Sequence, residues 1–264
     1  MFGIRTEAAD AGASLGLIVL NAGMLPNVGP FRLHPELSLA LGDTNVCVLR
    51  LDQSGKGESP MRADLSPADA VLLDYDEAFA HLAAHGVRET VVMGLCSGAV
   101  DALRIAAVRK NVSGLVLLDG YVERTSRWRA VHLRKRLRAG LARARRFLAM
   151  RPPEAQHERP AEQRAGEGND DAILADSRDW KLLDLRASYL DVLERDVKIL
   201  SIFSGSFYPY NYAGQLQEFL SAGPMSAGLR EVFFDDADHT YTVVTHRRQL
   251  IALIRGWLKE VFDV

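Results

Sequence analysis

The residues best placed to do chemistry are Cys96 and His239, with Asp119 as the carboxylate that would serve them. Cys96 sits inside Gly94-Leu95-Cys96-Ser97-Gly98, directly after the strand-like run Thr90–Met93 and directly before the helix-compatible run Ala99–Val108. Strand, very tight turn and helix at this spacing form a nucleophile elbow. The turn strains its central residue and lifts that side chain above the sheet. Gly94 and Gly98 are small because strand and helix pass close beside it. The partial positive charge of a helix N-terminus favours a negatively charged sulfur there. A buried structural cysteine in a glycine-rich turn has the same spacing, so the elbow needs partners before it means catalysis.

His239 is the candidate base. It lies in Asp235-Asp236-Ala237-Asp238-His239-Thr240-Tyr241, after a strand-like Leu229–Phe234 and before an amphipathic His246–Val261. A thiol is only partly ionised at neutral pH, and an adjacent imidazole takes its proton and later returns it to the leaving group. A carboxylate to orient that imidazole is absent from the stretch after Val197–Phe203, which reads Ser204-Gly205-Ser206-Phe207-Tyr208-Pro209-Tyr210-Asn211. The acid is therefore expected at Asp119, at the end of Gly114–Leu118. Asp235, Asp236 and Asp238 are rivals, and Asp119-Gly120 also reads as an ordinary turn. An oxyanion hole needs two backbone N–H groups. The candidates are Ser97, directly after the cysteine, and Met24, in the loop following Leu15–Leu20.

The elements that must position these residues alternate. Leu15–Leu20 and Val46–Leu51 read as strands buried on both faces. Phe2–Ala8 reads as a short edge strand, Pro35–Leu41 as a helix, and Ser66 as the cap of a helix running to His85. A βαβαβ order implies a mostly parallel twisted sheet flanked by helices, with ligands at the carboxyl ends of the strands. The order breaks after Gly120. From Arg124 to Arg151 there are eleven Lys/Arg and no Asp/Glu, with Leu133, Leu137 and Leu141 at four-residue steps. An amphipathic helix is expected there, ended by Pro152 and Pro153, then a polar loop over Glu154–Asp171 and a helix over Trp180–Val192. The division is thus 1–120 core, 121–192 helical lid, and 193–264 core, with a strand at Val197–Phe203 and a helix at Tyr212–Ala222.

Bulk composition fits one large α/β domain: 264 residues, 48% hydrophobic, 25% charged, net charge −2. The two cysteines, Cys47 and Cys96, suggest no disulfide framework, and no signal peptide or membrane span is legible. A cytoplasmic protein is expected. No zinc spacing, Walker loop or dinucleotide loop occurs, so neither metal nor cofactor is expected. The basic stretch 124–151 is either a solvated lid face or a docking face for something acidic: a carrier protein, coenzyme A phosphates or anionic lipid. No nucleic-acid motif accompanies it.

Taken together, Leu20-Asn21-Ala22-Gly23, Leu51-Asp52-Gln53-Ser54-Gly55-Lys56-Gly57-Glu58-Ser59, Gly94-Leu95-Cys96-Ser97-Gly98-Ala99 and Asp238-His239-Thr240 resemble the blocks of the α/β-hydrolase superfamily, in its order. The Asp52–Ser59 block is similar to that of serine aminopeptidase-like hydrolases. The cysteine elbow resembles the branch seen in exosortase-associated and biosynthetic-cluster hydrolases, and dienelactone hydrolases also carry a cysteine there. Dieckmann cyclases of this fold place the acid after the strand following the elbow, similar to Asp119. The resemblance implies an ester, thioester or lactone hydrolase or acyl-transfer enzyme with a Cys-His-Asp triad and an acyl-enzyme. Its acyl substrate would be small, free or bound to a carrier protein or coenzyme A. Two alternatives stand beside it: a cyclase that releases a carrier-bound acyl chain, and a non-catalytic binding protein on the same scaffold.

Overall fold

A computed structural model describes residues 1–9, 13–149, 184–220 and 228–264. The expected loop over Glu154–Asp171, the prolines before it and the start of the helix at Trp180 lie outside the described residues. Seven strands form one sheet: β1 (Phe2–Thr6), β2 (Leu15–Val19), β3 (Val46–Asp52), β4 (Glu89–Leu95), β5 (Val112–Leu118), β6 (Lys198–Ser204) and β7 (Leu229–Phe234). Their order is β1-β3-β2-β4-β5-β6-β7. β1 runs antiparallel on the edge, and every other pairing is parallel. This is the α/β-hydrolase fold that the motif order implied.

The sequence explains why the central strands sit where they do. Leu15–Val19 and Val46–Asp52 are buried at every position, and Thr90–Leu95 likewise. Such runs, buried on both pleat faces, need helices on both sides. On one face lie α2 (Pro67–Ala83), α3 (Ser97–Val108), α5 (Leu185–Glu194) and α6 (Gln215–Leu220), with Tyr75, Leu103, Ile105, Tyr189 and Leu216 in one core cluster. On the other lie α1 (Leu33–Ala40) and α7 (Val244–Phe262), with Leu37, Leu250, Ile254 and Trp257 in a second. Ser66 caps α2 as expected, its Oγ accepting from Asp69 N at 3.1 Å.

Two features differ from the periodic reading. First, α5, drawn inside the 121–192 segment, buries Leu185, Tyr189, Val192 and Leu193 in the same cluster as α3. It therefore packs as part of a flanking layer. Second, the basic helix forms as α4 (Ser126–Ala149), but its leucines do not face the protein. Leu133, Leu137 and Leu141 are 58%, 59% and 64% exposed. The side turned inward instead carries Trp128, 5% exposed, which stacks on His132 at 4.7 Å and meets Tyr208 edge-on at 5.4 Å. Lys135 Nζ adds a hydrogen bond to Asn211 O at 2.9 Å. An aromatic ring buries more area than a leucine, and Trp128 decides which way α4 turns.

Candidate active site

Cys96 is the residue between β4 and α3, with φ 57° and ψ −118°. That backbone region is costly for any side chain, on the order of 1–3 kcal/mol. The surroundings hold it. Cys96 N donates to Leu118 O at 2.9 Å, and Cys96 O accepts from Ala99 N at 3.0 Å as α3 begins. The flanking glycines are required by contact. A Cβ on Gly94 would lie 2.0 Å from Gly98 O, and one on Gly98 would lie 2.4 Å from Asn21 O. The side chain is half-buried and unpaired with Cys47.

His239 lies in the loop after β7. Its Nδ1 is 2.7 Å from Asp119 Oδ2, and the imidazole also hydrogen-bonds Cys96. With Nδ1 engaged, Nε2 is left for the sulfur. Burial disfavours the imidazolium, but the hydrogen bonds to Asp119 and Cys96 and their negative charge outweigh it, raising His239 to about 10. The backbone of His239 is fixed as well, its N–H donating to Ser206 Oγ at 2.7 Å. Phe207 stacks on the imidazole at 5.9 Å, nearly parallel.

Asp119 follows β5 at φ 46° and is 2% exposed. Its carboxylate accepts from Ser204 N at 2.6 Å and Ser204 Oγ at 2.7 Å, besides His239. The acidless end of β6 thus supplies two donors to an acid on the neighbouring strand. Two of the rival carboxylates, Asp238 and Asp236, are occupied otherwise. Asp238 accepts from the backbone and side chains of Thr240 and Thr242. Burial works against its charge, but those four donors lower it to about 2. Asp236 pairs with His246 at 3.3 Å. Asp235 lies where its carbonyl abuts Gly205, 1.9 Å from where a Cβ would sit.

Ser97 opens α3, and its Oγ accepts from Gly23 N at 3.1 Å. Gly23 has φ 58°, so the loop after β2 turns toward the elbow there. Met24 follows in that loop with its side chain 73% exposed. A buried aspartate holds this loop in place. Asp52, at the end of β3, accepts from Asn21 Nδ2 at 3.0 Å, Asn27 N at 2.6 Å, Asn27 Nδ2 at 2.9 Å and Glu58 N at 3.1 Å. Burial opposes its charge, yet these hydrogen bonds keep the carboxyl below its ordinary range. Asn21 Oδ1 in turn accepts from Gln53 N at 2.7 Å. Ser204, Ser206, Phe207 and Asp52 were the residues missed. Only Asp52 left a signal, a buried-strand aspartate followed by a glycine-rich turn.

The model of the Alpha/beta hydrolase family matches residues 24–253, and the chain belongs to that family. Comparison with curated proteins returned no match. Among solved structures, the chain is similar to Est1E from Butyrivibrio proteoclasticus, solved with ferulic acid bound. The two share 12% identity and a TM-score of 0.63, over 100% of this chain and 96% of that one. It is similar to a monoacylglycerol lipase from Paleococcus ferrophilus at 15% identity and TM-score 0.56, over 97% of each chain. It is also similar to the thioesterase domain from the curacin biosynthetic pathway at 14% identity and TM-score 0.53, over 96% of this chain and 94% of that one. At these identities the likeness concerns the fold.

Proposed function

We propose that the protein is an acyl-transferring hydrolase acting on an ester, thioester or lactone through Cys96, His239 and Asp119. The observation that carries this reading is the continuous chain of contacts from Cys96 to His239 to Asp119, with Asp119 Oδ2 at 2.7 Å from His239 Nδ1. The activities named for the similar structures, a monoacylglycerol lipase and a thioesterase domain, belong to the same reaction class.

Asp119 holds His239 in one orientation and stabilises its positive form. The raised His239 favours a resting imidazolium beside the Cys96 sulfur. The sulfur attacks the acyl carbon, a C–S bond forms, and the carbonyl oxygen takes up negative charge. The N–H groups of Ser97 and Met24 receive that oxygen, with Gly23 N–H holding the loop against Ser97. His239 gives its proton to the departing oxygen or sulfur, and an acyl-cysteine remains. A water then loses its proton to His239 and attacks the acyl carbon, and the Cys96 sulfur leaves. A thiol suits activated acyl groups because the acyl-cysteine is itself a thioester. Residues 121–149 of the 121–192 segment would overlie this edge as a lid, and an acyl group carried on a protein or on coenzyme A fits a site of this kind.

The test is covalent. Native protein treated with an activated ester such as p-nitrophenyl acetate gains one acyl mass on Cys96, and Cys96→Ala gains none. Normal acylation of Cys96→Ala removes the mechanism. Product analysis with longer acyl thioesters separates release to water from ring closure.

A further inference from the structure

We propose that α4 is an interfacial helix that seats the protein on an anionic lipid surface. The proposal stands independently of the acyl-transfer reading, since it concerns the outer face of α4 and not the elbow.

The helix has two opposed faces. At roughly 100° per residue, Trp128, His132 and Lys135 share the side that rests on the body of the protein, where they meet Tyr208 and Asn211. Leu133, Leu137 and Leu141 fall about 180° away and are each more than half exposed. Ala130 and Gly140 lie on the same outward side and are exposed, so no charged group interrupts the stripe. Arginines border it on both flanks, Arg134 and Arg138 on one and Arg129 and Arg136 on the other, all exposed. No Asp or Glu occurs anywhere in α4.

A leucine stripe with cations on both borders is the pattern of a helix lying in a membrane interface. The leucines enter the boundary between headgroups and acyl chains, and the arginine stems extend sideways so that their guanidinium groups meet phosphates. Anionic lipid adds electrostatic attraction for each basic residue held near its surface. α4 is 24 residues long, about 36 Å, and its exposed leucines lie along one side, which suits a plane. Among the described residues no helix is long and apolar enough to cross a membrane, so the contact would be peripheral. The inner face of α4 rests on Tyr208, next in sequence to the Phe207 ring that stacks on His239. Seating α4 would therefore hold the Cys96 edge of the sheet close to the lipid.

The experiment is vesicle co-sedimentation of the full chain. Phosphatidylcholine vesicles containing about 30 mol% phosphatidylglycerol should sediment the protein at least roughly tenfold more than pure phosphatidylcholine, and added salt should weaken the binding. L133Q/L137Q/L141Q and R129Q/R134Q/R136Q/R138Q should each lose most of that binding, with thermal midpoint and Cys96 acylation unchanged. Equal sedimentation with both vesicle types, or none with either, overturns the proposal. So does a fall of several degrees in the midpoint of the leucine variant, which would mean that this chain covers the stripe itself. Failure on vesicles together with salt-sensitive binding of a purified acidic carrier protein, lost in the arginine variant, would assign the face to a protein partner. Loss of Cys96 acylation chemistry with vesicle binding intact would strike the reading of the site and leave this one standing.

Discussion

Ser204 donates both its backbone N–H and its hydroxyl to Asp119, at 2.6 Å and 2.7 Å. One residue at the end of β6 thereby fixes both carboxylate oxygens of an acid at the end of β5. Asp119 has no freedom to rotate, and His239 Nδ1 meets an oxygen whose position is already set.

Asp119→Asn keeps the shape and removes the charge. The proposed orienting role predicts a fall in turnover on the order of 10³–10⁴, with the fold intact by circular dichroism. Asp235→Asn should change the rate less than about threefold, because its side chain is outside the Cys96–His239–Asp119 contacts. Equal losses in the two variants would remove Asp119 from the triad.

Ser204→Ala leaves the backbone donor and deletes the hydroxyl beside a buried carboxylate. Hydrogen bonds to charged groups contribute about 1.5–3 kcal/mol, so urea unfolding should lose stability of that order. A positioning role adds a second expectation: turnover falls while the KM for a small ester stays within about twofold. Unchanged turnover in a destabilised variant would make Ser204 purely structural.

His239 provides a pH signature. Its folded-state value is raised to about 10, against about 6.5 in an unfolded chain. The stabilisation from its charged contacts is fully present below pH 6.5 and fades as pH rises through about 10. The difference in urea midpoint between native protein and His239→Asn should be largest near pH 6 and should shrink toward pH 10. A difference independent of pH would mean that the imidazolium is not held by Asp119 and Cys96. The same pairing predicts that His239→Asn slows the alkylation of Cys96 by iodoacetamide at a fixed pH.

Gly205→Ala tests how the two loops that carry Ser206 and His239 meet. A Cβ there would fall 1.9 Å from Asp235 O, and Gly205 N already donates to Phe234 O at 2.7 Å. Neither backbone can yield cheaply, so the variant should lose more than about 3 kcal/mol of stability or fail to accumulate in soluble form. A native-like midpoint would show that the loops separate easily.

Much of this architecture was legible in the residues. The unbroken apolar runs around Leu17, Val48 and Val92 could only be central strands, and Gly94 and Gly98 announced the close crossing at Cys96. The empty acid position after β6 led to Asp119 by elimination, and the contact with His239 is there. Ser204 was not legible, because a serine at a strand end carries no pattern until the neighbouring strand is known. Asp52 stands out in the sequence only as part of a glycine-rich block, and its hydrogen bonds to Asn21 and Asn27 depend on a loop distant in sequence. The direction of α4 was not legible either. A four-residue leucine step announces an apolar face, but Trp128 and His132 form a second one on the opposite side. Only contact with Tyr208 decides between them.

Cys96 N donates to Leu118 O, the carbonyl of the residue just before Asp119. Nucleophile and acid therefore stand on neighbouring rungs of one hydrogen-bonded ladder. Any flexing of the sheet moves both together, as a common-mode displacement that cancels in their separation. His239 alone arrives from a loop, and it is the one member whose position the sheet does not guarantee. Variation in the geometry of the triad, from thermal motion or from substitution at a distance, should thus be read mainly in the imidazole. The seating of that loop by Ser206 and Phe207 acts as its fine adjustment.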